Sequence, residues 1–210
     1  MITSLVTRIA GRRAGLALPA ILCAAQAWAG GAVDAAYVKS LAAPGKAVLV
    51  VEYYDSDGNV VDRKGFASPN GFRSKSPVDI EVDASLDLHL YGLEPCRGEM
   101  VNRREGYAGH CGDYAREQLE ILLGSAKVIF CRAFLTEQNA RQQDATCFGY
   151  YYYPGSLDAV DNIEERLVSL GALRLSKRTD GTLKRPDLAE AERIGRNGFG
   201  MWADARIKVQ

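Results

Sequence analysis

Histidine is scarce in this chain: His89 and His110 are the only two in 210 residues. The five cysteines do not make up the shortfall as metal ligands, because no two of them lie two to four residues apart. That spacing argues against a structural zinc site. Charge of one sign is also missing. Lys and Arg number 26, Asp and Glu number 26, and the formal net charge is zero. Nucleic-acid binding through overall positive charge is excluded, although a local basic patch is not. There is no internal repeat and no long linker. The longest apolar run, residues 14–26, is too short to span a bilayer.

That run reads as part of a secretory leader. Arg8, Arg12 and Arg13 form its basic part, AGLALPAILCAAQ its apolar part, and Ala27-Trp28-Ala29 a small-x-small cleavage signal. The residues around Arg12-Arg13 match a twin-arginine signal poorly, and Leu22 before Cys23 is bulky where a lipoprotein site takes a small residue. Removing residues 1–29 takes away three Arg and no acid, which leaves a net charge near −3. The remaining 181 or so residues are enough for one domain with a sizeable core. The expected location is the periplasm or the exterior, with no transmembrane anchor in the mature chain. Cys96, Cys111, Cys131 and Cys147 remain, and an even count in an exported chain points to two disulfides. Three connectivities are open at this point.

Along the chain, a short helix is expected over 33–41, ended by Pro44-Gly45. Residues 47–54 (AVLVVEYY) read as a buried strand, and Asp57-Gly58 as a hairpin turn into a return strand toward Phe66. Asp55-Ser56-Asp57 has a metal-like pattern, but Asp-Gly is what a tight turn needs and Gly58 is misplaced for an EF-hand loop. Residues 68–77 read as loop and 78–82 as a strand. Residues 94–112, with four glycines, read as one long loop. Asp113 is expected to cap a helix with Ala115, Leu119 and Leu122 inward and Gly124 just past its end. Strands over 127–135 and 145–153 form an antiparallel hairpin. Folding about the middle of its turn brings Cys131 and Cys147 together, which leaves Cys96 to pair with Cys111. Ile163, Leu167 and Leu170 mark a helix closed by Gly171. Pro186 opens another through Arg196, with Leu188, Ala191 and Ile194 inward, and Met201-Trp202 packs back on the core. Strands, helix, hairpin and two helices imply an α+β chain: an OB-like five-stranded β-barrel with about three helices.

The stretch Leu86-Asp87-Leu88-His89-Leu90-Tyr91-Gly92-Leu93-Glu94-Pro95-Cys96-Arg97 organises the rest. Apolar residues alternate at 86, 88 and 90, then a Gly turn leads to an acid. It is expected to pair with the strand over 78–82. His89 alternates away from Leu88 and Leu90 and so faces away from them. A run of four tyrosines, Tyr150 to Tyr153, has the chemistry to stack bases; such a run is more often a strand with one face buried and the other half exposed.

Leu88-His89-Leu90-Tyr91-Gly92-Leu93-Glu94 resembles the R-L-x-G-I-D strand of the staphylococcal nuclease-like (thermonuclease) family. Ala115…Leu119…Leu122-Leu123-Gly124…Val128 is similar to its helix-to-strand step, and Arg141…Ala145-Thr146-Cys147 to the hairpin of its exported bacterial members. Leu167-Val168-Ser169-Leu170-Gly171-Ala172 and Gly200-Met201-Trp202 resemble its later motifs. The resemblance implies a nuclease-like OB domain over 78–203. It leaves 30–77 as a strand-hairpin region, either part of the barrel or added to it, and 204–210 as a tail. The family cleaves nucleic-acid phosphodiester bonds with Ca²⁺. Acids hold the ion, a Glu activates water, and two Arg neutralise the phosphate. Here the first Arg falls on His89, the Asp on Glu94, the Glu on Arg97 and the second Arg on Arg141. Glu99 stands near enough to replace the Glu. Asp79 lies near the upstream metal loop, and Asp55 and Asp57 would serve only across a long insertion. Tyr91, Arg97 and Arg141 would line the cleft. Imidazole lacks the permanent two-pronged charge of Arg, and Arg97 puts a cation where the reaction needs a base. The expectation is a catalytically degenerate exported module without a cofactor, binding an envelope protein or a ligand through the old cleft. The alternative is a Ca²⁺-dependent endonuclease on DNA or RNA, using Glu94, Glu99 and Arg141, with Glu94 and Asp79 on the metal.

Overall fold

The computed structural model describes residues 33–152 and 158–207. The leader, Tyr153 and the last three residues of the expected tail lie outside the described residues. The chain begins with α1 (Ala35–Ser40), shorter than expected, and runs through β1 (Ala47–Tyr54) and β2 (Val60–Ser68). Three short strands follow, β3 (Arg73–Ser76), β4 (Asp79–Glu81) and β5 (Asp87–Leu90), then β6 (Leu93–Glu94). β7 (Glu99–Asn102) and β8 (Tyr107–His110) lead into α2 (Cys111–Ser125), β9 (Ala126–Phe134) and β10 (Gln142–Tyr151). The chain ends with β11 (Ala159–Asn162), α3 (Ile163–Ser169), β12 (Arg174–Leu175), a 3-10 turn (Pro186–Leu188), α4 (Ala189–Gly195) and a second 3-10 turn (Gly200–Ala203).

The main sheet has eight strands in the order β2-β1-β9-β10-β5-β4-β3, with β11 beside β10. β1 pairs with β9, and β10 with β5, in parallel; the other pairs are antiparallel. The chain is therefore α+β with a mixed sheet and four α-helices among the described residues, where about three were expected. The sheet is not a closed barrel. Its ends, β2 and β3, are consecutive in the chain but do not pair. Both carry the charges that keep an edge strand single: Asp62, Arg63 and Lys64 on β2, and Arg73 and Lys75 on β3.

Burial on two faces explains the nearly unbroken apolar run of β1. Leu49, Val51 and Tyr53 point into the main core with Ile129 and Cys131 of β9 and Cys147 of β10. Val50 joins Val128, Phe130 and Phe148 on the opposite face, where Val38 of α1 packs against them. The hairpin of β9 and β10 places Cys131 directly opposite Cys147, with Cα atoms 4.1 Å apart, and the two are disulfide-bonded. Cys96 is bonded to Cys111 at the start of α2. Both pairings are those expected.

Five local expectations fail for identifiable reasons. Residues 68–77 are not all loop, since β3 pairs with β4 through polar residues that carry no apolar alternation. Residues 94–112 hold β6 and the β7–β8 hairpin, in which Met100 and Asn102 point inward and only Met100 is apolar. Asp113 does not cap α2; His110 is the N-cap, and Asp113 sits in the first turn, where its charge meets the helix dipole. Gly124 lies inside α2, which passes directly into β9 at Ala126. Leu188 in the 3-10 turn and Ala191 in α4 are buried as expected, but Ile194 is 41% exposed. Gly195 takes the inward place, because a Cβ there would stand 2.6 Å from the Val168 carbonyl oxygen of α3. Met201 and Trp202 are buried against the core.

Candidate functional site

The pairing of β4, β5 and β10 sets the geometry around His89. Asp79 and Asp144 are its partners on β4 and β10, and Asp87 faces Glu81 and Gln142 in the same way. Leu88, Leu90 and Ile80 point into the core, so alternation sends His89 and Asp79 to the other face. Asp79 Oδ1 lies 2.8 Å from His89 Nδ1 and accepts a second hydrogen bond, also 2.8 Å, from Gln142 Nε2. Ser76 Oγ donates to its other oxygen. Burial acts to raise the Asp79 carboxyl, but the hydrogen bonds from Ser76, His89 and Gln142 outweigh it and hold the group below the ordinary carboxylate range. An ionised carboxylate only accepts, so His89 Nδ1 is the donor of this hydrogen bond. The arrangement orients an imidazole; it does not make a phosphate fork.

Arg141 lies in the turn before β10. Its carbonyl receives the Asp87 N–H at 2.8 Å, and its guanidinium Nε stands 3.5 Å from Asp87 Oδ2. Lys75 Nζ binds the same carboxylate oxygen. Asp87 is almost wholly buried, and among the described residues its Oδ1 has no hydrogen-bond partner.

Beyond Leu90 the chain turns at Gly92, whose positive φ of 74° suits a glycine. The turn also lies on Arg185: a Cβ at Gly92 would stand 2.8 Å from Arg185 Cγ. Arg185 is buried and forks onto Asp187, with Nε to Oδ1 at 3.0 Å and Nη2 to Oδ2 at 2.8 Å. Lys184 Nζ is 5.9 Å from the centre of the Tyr91 ring. Glu94 then pairs with Arg174 of β12 in the small β6–β12 ladder. Both Nε and Nη2 of Arg174 reach Glu94 Oε1, at 3.0 and 2.9 Å.

The remaining candidates lie elsewhere. Arg97 is exposed between Cys96 and the Gly98 turn. Glu99 is exposed on β7 opposite His110, in a separate two-stranded sheet. Asp55 Oδ1 accepts from the N–H groups of Asp57 and Asn59 at 3.0 and 2.8 Å, the turn-forming role expected of it. Tyr150 and Tyr151 have the expected division, with Tyr151 in the main core and Tyr150 against the smaller cluster. The structure thus joins His89 to Asp79, sets Arg141 beside Asp87, ties Glu94 to Arg174, and leaves Glu99 and Arg97 apart from these pairs.

Sequence reasoning missed Arg174, Lys75, Gln142 and Asp87 as partners. Asp87 had a signal, being a charged residue inside an otherwise alternating strand. Arg174 had none, because it meets Glu94 across 80 residues. Among known proteins, no family model and no curated protein matches the chain.

Proposed function

We propose that this is an exported, catalytically degenerate protein on a nuclease-like scaffold, which binds a partner through the surface around His89 and Glu94 without hydrolysing it. The observation that carries this reading is the Glu94–Arg174 pair. Glu94 is the acid that the family resemblance assigns to the metal, and a guanidinium already compensates its charge through one hydrogen bond from Nε and an ion-pair contact from Nη2. The neighbouring chemistry supports the same reading. His89 is engaged with Asp79, Arg141 with Asp87, and Arg97 is a cation in the place of the base. Two disulfides fit an oxidising compartment, and in this reading the protein works in the periplasm or outside the cell. Among the described residues no helix is long and apolar enough to cross a membrane. An OB-like ancestry is part of the proposal. The two parallel pairs flanking β9–β10 would then be the remains of a barrel that opened between β2 and β3.

One observation favours the alternative of a Ca²⁺-dependent nuclease. Both Arg174 nitrogens use Oε1, and the Glu94 side chain stays 41% exposed, so Oε2 remains open to an ion. A single assay separates the two. Purified mature protein is incubated with single- and double-stranded DNA and RNA, with Ca²⁺ and with EDTA. The binding-module reading expects no metal-dependent cleavage from the wild type. Ca²⁺-dependent cleavage that Glu94→Ala abolishes would sink it. Some cleavage gained by His89→Arg with Arg97→Glu would support it strongly.

A further inference from the structure

The β7–β8 turn faces the turn after α4 and the segment after the second 3-10 turn across an open groove of about 650 Å³. Arg103, Arg104 and Arg206 line it together with Val101, Asn197 and Gly198. The one acid in the lining, Asp204, is already neutralised. Arg206 forks onto it, with Nε to Oδ1 at 3.0 Å and Nη2 to Oδ2 at 2.6 Å, and the Val101 N–H donates to Oδ2 at 2.8 Å. Arg103 and Arg104 have no side-chain partner among the described residues, and Arg104 Nη1 stands 3.7 Å from where a Gly198 Cβ would be. Two guanidiniums without a side-chain partner therefore share one groove. Two acids stand near the groove: Glu105, which accepts a hydrogen bond from Tyr114, and Glu99, whose negative charge acts on Arg206.

Val101 in the lining, and residues close in the chain to Asn197 and Gly198, expose apolar side chains. Val101 is 38% exposed, and Phe199, next to Gly198, is 47% exposed. Ile194, whose carbonyl accepts the Asn197 N–H, is 41% exposed. Free Arg on segments that also expose Phe, Ile and Val suits a ligand that presents anionic oxygens at the edge of an apolar layer. We propose that this face docks onto an anionic phospholipid bilayer, with Arg103 and Arg104 on lipid phosphates and Phe199 at the acyl boundary. The proposal concerns a surface separate from the Glu94 region and does not depend on whether that region is catalytic.

The test is co-sedimentation of the full mature protein with vesicles of phosphatidylglycerol and phosphatidylcholine, and with vesicles of phosphatidylcholine alone. Binding is expected to the anionic vesicles and to fall with added salt. Each Arg at an anionic surface contributes roughly fivefold, so Arg103→Gln with Arg104→Gln should weaken binding by roughly 25-fold. Those side chains hold no partner, so the fold should survive, as a circular dichroism melt would check. Phe199→Ser should weaken binding with the charge unchanged. Lys46→Gln with Lys127→Gln, which removes the same charge from a different groove, should leave binding intact. The proposal is overturned by equal binding to neutral vesicles, or by equal losses in the Lys and Arg double variants. Binding of soluble glycerol phosphate or of an acidic peptide, with no sedimentation on vesicles, would also overturn it.

Discussion

At the scale of single residues, the most consequential group is one the candidate list does not contain. Along its outer edge β10 pairs with β5 through Ala145 and with β11 from Phe148 onward. Cys147 falls in the gap, and its N–H points away from β9 with no strand to receive it. Glu164 supplies the acceptor, with Oε1 2.9 Å from that nitrogen. An unfilled buried N–H is costly, which accounts for a carboxyl group in the core. Burial pushes the Glu164 carboxyl up to about 7, against the pull of Arg185 and the hydrogen bond from Cys147. The folded state therefore holds a proton that the unfolded chain has released from about pH 4.5 upward. The stabilisation is complete below that pH and is lost as pH rises through about 7, by about 3 kcal/mol in total. Glu164→Gln keeps an acceptor for Cys147 and removes the titration. Its melting temperature, relative to wild type, should rise between pH 4.5 and 7.5. Parallel melting profiles across that window would refute the assignment.

At the scale of elements, the β9–β10 hairpin shows what the sequence made legible. Its turn, its two apolar runs and the facing of Cys131 and Cys147 could be read because they are local and repeat every two residues. The disulfide closes a loop of 16 residues, for which chain entropy gives about 3 kcal/mol. Cys131→Ala with Cys147→Ala should lower the melting temperature by roughly 10 °C in a chain of this size. A melt that does not move would show that the ladder alone sets the hairpin. By contrast, β7 and β8 were invisible. The inward positions of β7 are Met100 and Asn102, and a buried Asn breaks an apolar count. Asn102 is inside because its amide donates to the Gly200 carbonyl at 3.2 Å, a contact made 98 residues away. The candidate site divides in the same way. The facing of His89 followed from alternation, whereas the pairing of Glu94 with Arg174 depends on β12 returning to β6. The openness of the sheet was likewise not legible, because it depends on β2 and β3 failing to meet.

At the scale of the molecule, the C-terminal segment joins parts that the main sheet does not. Met201 N–H donates to the Gly171 carbonyl at 2.9 Å, which holds the segment on the end of α3. Asp204 receives the Val101 N–H and so holds β7 to the same segment. The Arg206 fork keeps the Asp204 carboxyl far below the ordinary range, so this hold persists until strongly acidic pH. The β7–β8 ladder is a two-stranded sheet of its own, held besides by the Asn102 hydrogen bond to Gly200 and by the Cys96–Cys111 disulfide. Such a hairpin can open without unfolding β1, β9 and β10. A hydrogen bond to a charged group contributes about 1.5–3 kcal/mol. Asp204→Ala should therefore speed amide exchange at Val101 and its neighbours in β7 and β8 by roughly 10- to 150-fold. Exchange in β1 and β9 should stay near the wild-type rate. Hydrogen exchange read by mass spectrometry distinguishes the outcomes. Equal acceleration in β9 would mean that the hairpin and the main sheet unfold as one unit, and that the C-terminal segment stabilises the whole fold and not the hairpin alone.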